Sequence, residues 1–353
     1  MSEHFIAKRA SRRPKLNGRC SMRRLAVLLM SALAVGATAC TPNGGSEAAS
    51  GAEACKGKVS VVAHTGPGGG ADLLSREIIS LLEKENLIDR GSWTVENREG
   101  GDGAVAMGYM REQAGRGDVI EFVSVVNLTN EMVTPGVDIG TLDLTPLVSL
   151  YDDRMAAAVK AGGPYKNFND FVEDAKRRPG QLVQSGGSTT SFDAMVADVL
   201  MRETEAKWQF LSFPGGGDRR TALIRGDAQL YMTEPADMAE SVEGGEMTPV
   251  LMVGAERSKI FPDTPTTQEL GYKSAMPVST RGLAGPPEMS AEASQCYIDL
   301  FTQLSKSQSW QDYITKQDVQ ANFQTGDTFR QGLEKQRAQY EELFKQTGQL
   351  VQG

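Results

Sequence analysis

From about residue 58 the chain alternates short apolar runs with longer stretches whose apolar residues recur at helical spacing. The short runs are "KVSVVAH", "SWTVEN", "VIEFVSVV", "LTPLVSL", "MAAAVKA", "QLVQSG", "WQFLSF", "AQLYMT" and "TPVLMVG". Their length and β-branched content predict strands. Between them, "LLSREIISLLEKE" places Leu74, Ile78, Leu81 and Leu82 on one helical face. "FDAMVADVLMRE" does the same with Phe192, Met195, Val196, Val199 and Leu200. The C-terminal third reads as mainly helical. Strands alternating with helices predict an α/β fold with a mostly parallel sheet. Such sheets hold ligands in loops at the carboxyl ends of their strands. No internal repeat occurs at solenoid periods.

The pattern changes at the N-terminus. "RPKLNGRCSMRR" is a basic segment, and "LAVLLMSALAVGA" is an apolar run too short to span a membrane. Together they predict an export signal over residues 1–39. The run ends in "ATAC", small residues before Cys40. This resembles a bacterial lipobox, in which Cys40 takes the lipid, although Ala37 stands where leucine is usual. The alternative is cleavage after Ala39, which leaves Cys40 a plain thiol. Residues 40–55, with "TPNGGSEAASGAEA", have the composition of a flexible tether.

The signal also explains the charge. The formal net charge is -8, yet residues beyond 39 carry 29 basic and 44 acidic groups, a net of -15. An acidic body excludes a nucleic-acid partner, which needs a basic face. Any bound anion must be held by local N–H groups and dipoles. Four cysteines are present. Cys20 leaves with the signal and Cys40 takes the lipid, so Cys55 and Cys296 remain, an even pair in an oxidising compartment. A disulfide and two free thiols both fit that count.

Several chemistries are missing. His4 leaves with the signal, so His64 is the one histidine of the mature chain. That excludes zinc sites needing two imidazoles. A serine triad would have to use His64, yet no GxSxG elbow occurs. CxxC and the P-loop pattern are also absent, and no metal or cofactor is expected. Gly66, Gly68 and Ala71 do fit GxGxxA after a strand, with Glu96 ending the next strand. That is the layout of a dinucleotide site. The export signal opposes it.

The remaining candidates are loops between strand and helix. "GPGGGAD" holds Gly68, Gly69, Gly70, Ala71 and Asp72 and follows Thr65. Such a glycine cluster marks a sharp turn or a close approach to the backbone. A helix N-terminus after it presents free N–H groups and a positive dipole end, which suit an anion. "QSGGSTTSFDAM" repeats the arrangement with Ser185, Gly187, Ser188, Thr189 and Thr190. "FPGGGDRRTAL" supplies Gly215 and Gly216, and "SVVNLTNEM" ends a strand with Asn127, Thr129 and Asn130. Together they predict one cleft lined with N–H and O–H donors for an oxyanion.

These segments resemble the receptors of tripartite tricarboxylate transporters, the Bug-type periplasmic solute-binding proteins. "GPGGGADLLSREI" is similar to that family's glycine loop. "WTVENREGGDGAVAMGYM" resembles its glycine-rich segment at Glu96, Asn97, Arg98, Gly100 and Gly103. "YKNFNDFVEDAKRRPGQLVQSGGS", "FPGGGDRRTALIRGDAQL", "FPDTPTTQELGYK" and "GLAGPPEMSAEA" follow in collinear order, over roughly residues 58 to 350. The resemblance implies a two-lobed clamshell of the type II periplasmic-binding-protein kind. It implies one lobe of residues 56–152 plus 278–353 and another of 153–277. Thr65 to Asp72 and Ser185 to Thr190 would hold one carboxylate through N–H groups, hydroxyls and bridging water. Asp72 would then orient water or cap its helix. Two positions depart from the family: His64-Thr65 replaces an apolar-Pro pair, and Arg281 stands where an aromatic residue is common.

The resulting expectation is an exported, lipid-tethered, monomeric receptor for a small organic anion, delivering it to membrane transporter subunits, with no catalysis. Two rivals are an exported enzyme using His64 with a cleft carboxylate, and a surface adhesion lipoprotein that binds no small ligand.

Overall fold

The computed structural model describes residue 51 and residues 53–137, 139–213 and 215–350. In chain order the elements are β1 (Val59–Ala63), α1 (Gly70–Lys84), β2 (Trp93–Asn97), α2 (Ala104–Glu112), β3 (Val119–Val123), α3 (Val125–Val133), β4 (Thr145–Asp152), β5 (Ala156–Lys160), α4 (Phe168–Arg177), β6 (Val183–Gly186), α5 (Phe192–Thr204), β7 (Gln209–Ser212), α6 (Gly216–Arg225), β8 (Leu230–Thr233), α7 (Pro235–Glu243), β9 (Met247–Met252), β10 (Thr280–Gly285), α8 (Ala291–Ser305), α9 (Gln308–Gln317), β11 (Gln320–Ala321) and α10 (Gly326–Thr347). The signal segment and Cys40 lie outside the described residues.

Two sheets organise these elements. The six-stranded sheet has the order β11-β4-β10-β3-β1-β2, and the five-stranded sheet has the order β7-β6-β8-β5-β9. The expectation of a mostly parallel sheet needs correction. β1 runs parallel to β2 and β3, and β6 runs parallel to β7 and β8. Every pairing of β10, β11 and β5 is antiparallel. The cause is the chain path: β4 leads through Asp153 and Arg154 straight into the other sheet, so the returning β10 enters the first sheet from the opposite end. The parallel strands keep their helical crossovers, and the glycine loops follow those strands.

Helical periodicity translated directly into burial. Leu74, Ile78, Leu81 and Leu82 of α1 are buried, as are Phe192, Met195, Val196, Val199 and Leu200 of α5. Each such side chain contributes roughly 1.5–3 kcal/mol. One apolar cluster joins α1, α8 and α9 to the first sheet, through Leu82, Phe122, Tyr297, Phe301 and Trp310. Another runs through residues of both sheets, from Val123 and Phe344 to Met195 and Leu230. Where the chain passes between sheets, Arg154 is nearly buried and pairs with Asp318 at 3.1 Å. The same Asp318 accepts the Ser258 hydroxyl and the Lys259 amide.

Two sequence segments took other forms. The apolar run "VIEFVSVV" divides at Ser124. That residue caps α3 by a reciprocal box with Asn127, so the second half is helix rather than strand. β10 was absent from the predicted strands, because its Gly-rich segment "TRGLAG" lacks β-branched residues beyond Thr280.

Candidate functional site

The first glycine loop is organised by Asp72. This carboxylate is 2 % exposed. It accepts the Gly68 amide at 2.9 Å, the Asn97 side-chain amide at 3.0 Å, and Arg76 through Nε at 3.0 Å and Nη2 at 2.8 Å. The Arg76 hydrogen bonds, foremost, hold its pKa down to about 2. The Asp72 amide donates to Thr65 Oγ1 at 3.3 Å, and Asn97 also donates to the Thr65 carbonyl at 2.8 Å. Gly68 takes a φ of +80°, which favours glycine. Gly69 donates to the Gly66 carbonyl at 3.0 Å. The amides of Gly70 and Ala71, at the start of α1, keep no partner among the described residues. They are the donors this loop can offer to an anion.

The second loop repeats the device. Asp193, in the first turn of α5, is buried and accepts the Gly187 amide at 2.9 Å, together with the Ser191 hydroxyl. Ser191 Oγ also donates to the Ser188 carbonyl at 2.6 Å, and Ser188 and Thr190 share a hydroxyl contact of 3.2 Å. The amides of Ser188, Thr189 and Thr190 have no partner among the described residues. Ser185 is different: it is fully buried in β6 and its hydroxyl donates to the Arg219 carbonyl at 3.0 Å. Gly215 caps α6 and Gly216 opens it. In both ligand-loop candidates an aspartate early in the helix turns back and fixes the glycine backbone, leaving the next amides free.

Asn127 sits inside α3, 1 % exposed. Its Oδ1 accepts the Ser124 amide at 3.0 Å, and its Nδ2 donates to Glu121 Oε1 at 2.8 Å. Both ends of the amide are therefore engaged by neighbouring residues. Asn130 likewise donates to the carbonyls of Gly101 and Asp102, both at 2.6 Å. Ser124 Oγ lies 3.3 Å from His64 Nε2. Burial, then the Arg281 charge, pushes His64 down to about 4, and burial pushes the Glu121 carboxyl up to about 8. Both are neutral at pH 7. Glu121 contributes stability that is full below its ordinary 4.5 and lost as pH rises through about 8. His64 contributes stability that is full above 6.5 and lost as pH falls through about 4. Between pH 6.5 and 8 His64 adds nothing further, whereas Glu121 still loses stability as pH rises. Across that interval the urea midpoint of the wild type is expected to fall by the equivalent of about 2 kcal/mol more than that of Glu121→Gln. Parallel profiles for the two proteins would refute this account.

Two cavities border the loops. Gly70 and Leu73 of α1 line one of about 540 Å³, with Tyr151, Asp153, Glu234 and Arg281. Phe192 of α5 lines another of about 450 Å³, with Asp152, Asp153, Tyr272 and Pro277. Asp153 belongs to both. Arg281 Nε lies 2.9 Å from Asp153 Oδ1 and 2.7 Å from Oδ2, and its Nη2 lies 3.6 Å from Glu234 Oε1. Glu96, the acid of the dinucleotide layout, is tied instead to Ser60 at 3.0 Å, to Tyr109 and to Arg98.

Sequence reasoning had missed Asp153, Asp193, Glu234 and Asp237. Asp193 carried a usable signal, since it follows a glycine–hydroxyl loop much as Asp72 does. Glu234 and Asp237 lie in "TEPAD", where proline at the first helical position marks a helix start after β8. Asp153 carried none, because only the passage between sheets gives it a role. Cys55 and Cys296 are joined in a disulfide, with Cα atoms 5.7 Å apart.

Among the described residues no group of three or more His, Cys, Asp or Glu is placed to hold a metal ion, and no helix is long and apolar enough to cross a membrane. Among curated proteins, a UPF0065 protein in the gbd 5' region of Cupriavidus necator is 24 % identical over 238 residues, 67 % of this chain and 72 % of that protein. Protein BugT of Bordetella pertussis is 22 % identical over 212 residues, 58 % and 63 % of the two chains. A solved R. palustris protein, Rpa4515 with adipate, superimposes with a TM-score of 0.73 at 20 % identity, covering 82 % of this chain and 97 % of its own. The match to a family description spans residues 88–349, from just after α1 to the end of α10. With two mixed sheets, two aspartate-braced glycine loops and a match of that length, the chain belongs to the tripartite tricarboxylate transporter family of receptors.

Proposed function

We propose that this protein is an exported receptor that binds a small organic anion through a carboxylate and delivers it to the membrane subunits of a tripartite transporter. The observation that carries this reading is the pair of helix N-termini. At each, a buried aspartate immobilises a glycine loop and leaves successive amides unpaired. Fixed amides of this kind bind an oxyanion without reorganisation, and each charge-assisted bond is worth roughly 1.5–3 kcal/mol. The adipate in the related R. palustris structure is consistent with a carboxylate ligand.

In this reading the six-stranded sheet belongs to a lobe of residues 56–152 plus 278–353, and the five-stranded sheet to a lobe of 153–277. Thr65 to Asp72 and Ser188 to Thr190 close on one carboxylate. The receptor works as a monomer, without a cofactor and without catalysis. Ser124 and His64 make a hydroxyl–imidazole pair, but Ser124 is fully buried and its hydroxyl is shared with Asn127, which does not suit a nucleophile. Export places the receptor outside the cytoplasm, and a lipid on Cys40 ties it to the membrane. Release of a Cys40→Ser protein from the membrane fraction is the expected result, and its retention there would reject the anchor.

The test of binding is a thermal-shift screen of the purified protein against mono-, di- and tricarboxylates. A ligand at a hundred times its dissociation constant stabilises by about 2.7 kcal/mol, a rise of several degrees in a chain of this size. If no carboxylate raises the melting temperature, the receptor reading fails.

A further inference from the structure

Arg281 lines the cavity that the first glycine loop borders. We propose that Arg281, held between Asp153 and Glu234, makes the cleft select a monocarboxylate bearing an ammonium group at its other end and reject a second carboxylate. The inference rests on the receptor reading above and names its ligand class.

Arg281 stands in β10 of the six-stranded sheet, and Glu234 is the N-cap of α7, after β8 of the five-stranded sheet. Their pair therefore crosses the space between the two sheets. Arg281 has little freedom to do otherwise. Asp153 engages its Nε with both carboxylate oxygens, and Asp153 is itself nearly buried and accepts the Ser279 hydroxyl at 2.6 Å. A guanidinium so neutralised is not a free clamp for an incoming carboxylate.

The cavity wall beside it has an excess of acid. Arg281 faces three carboxyl groups, Asp153, Glu234 and Asp237, in the cavity that Gly70 also lines. Burial, then the charge of Asp237, pushes the Glu234 carboxyl up, and burial does the same for Asp237. Even with one proton shared by that pair, the wall keeps one negative charge in excess. His64, which feels the Arg281 charge, is neutral at pH 7. The remaining cations of the cavity lining, Lys84 and Lys316, are equalled in number by the acids Glu77 and Asp312. A second ligand carboxylate would have to displace Glu234 from Arg281 and leave it beside Asp237. An ammonium group would instead cancel the excess charge and donate to Glu234. Like charges across a desolvated cleft are an effective means of exclusion.

The experiment is calorimetry on the purified protein with three series of equal chain lengths: alkyl monocarboxylates, α,ω-dicarboxylates such as glutarate, and ω-amino monocarboxylates such as 4-aminobutyrate. The tightest ligand is expected in the amino series, at least about tenfold tighter than the dicarboxylate of matching length. Glu234→Gln, checked for an unchanged melting temperature without ligand, is expected to reduce that ratio to near one. A dicarboxylate or plain alkyl acid as the tightest ligand overturns the inference but leaves the receptor reading standing. So does a ratio that Glu234→Gln does not change. Binding in none of the three series overturns the inference too, and the receptor reading is then decided by the wider carboxylate screen.

Discussion

Gly69→Val is expected to weaken binding of the carboxylate found in the screen by a hundredfold or more. A Cβ at position 69 would sit 2.6 Å from both Cβ and Oγ1 of Thr65, and 3.0 Å from the Gly66 carbonyl oxygen. Thr65 cannot easily withdraw, because its hydroxyl accepts the Asp72 amide and its carbonyl accepts Asn97. The loop must open instead, and the amides of Gly70 and Ala71 would turn away from the cleft. Losing two charge-assisted hydrogen bonds, at roughly 1.5–3 kcal/mol each, exceeds a hundredfold in affinity. The damage is local to an exposed loop, so circular dichroism should show a folded protein. Gly70→Ala is the control, because a Cβ there meets nothing within 4 Å and its φ is not positive. Calorimetry of both variants decides the matter: unchanged affinity in a folded Gly69→Val protein would reduce the loop to a simple turn and move the site elsewhere.

The largest effect on stability is expected from the Cys55–Cys296 bridge. It closes a loop with a sequence separation of 241, and a cross-link over so long a loop restricts the unfolded chain strongly. Its removal should cost roughly 3–5 kcal/mol. The bridge also holds the turn at Ala54–Lys56 against α8, where Trp93 donates its indole N–H to the Cys55 carbonyl at 3.1 Å. Urea unfolding of Cys296→Ser should therefore show a clearly lower midpoint, matched by the wild type under reductant. Two freely alkylated thiols in the native, unreduced protein would show that the bridge does not form.

Helix faces and the glycine loops were legible because each rests on local chemistry. The spacing of Leu74, Ile78 and Leu81 needs no partner to be read, and a run such as "GPGGGAD" has few conformational uses. Loop function was less legible. Asn127 looked like a cleft donor from its place at the end of an apolar run. Yet a serine cap turned the chain into α3 and buried the amide against Glu121. Ser185, next to the second loop's glycines, lies on the strand face that packs against α6, where its hydroxyl meets the Arg219 carbonyl, because neighbouring side chains along a strand alternate between faces.

The sequence alone determined the α/β class, the charge asymmetry between the basic N-terminal segment and the acidic remainder, the poverty in histidine and the candidate anion loops, since these depend on composition and short-range pattern. Only the tertiary structure decided the rest. Asp153, Glu234 and Arg281 lie at sequence positions far apart, in or just after strands of two different sheets, and nothing local marks them as neighbours. Their proximity follows from the chain crossing between sheets at Asp153 and returning antiparallel in β10, which is a consequence of long-range strand pairing. The same long-range pairing decided that strands of mixed direction form in place of a mostly parallel arrangement.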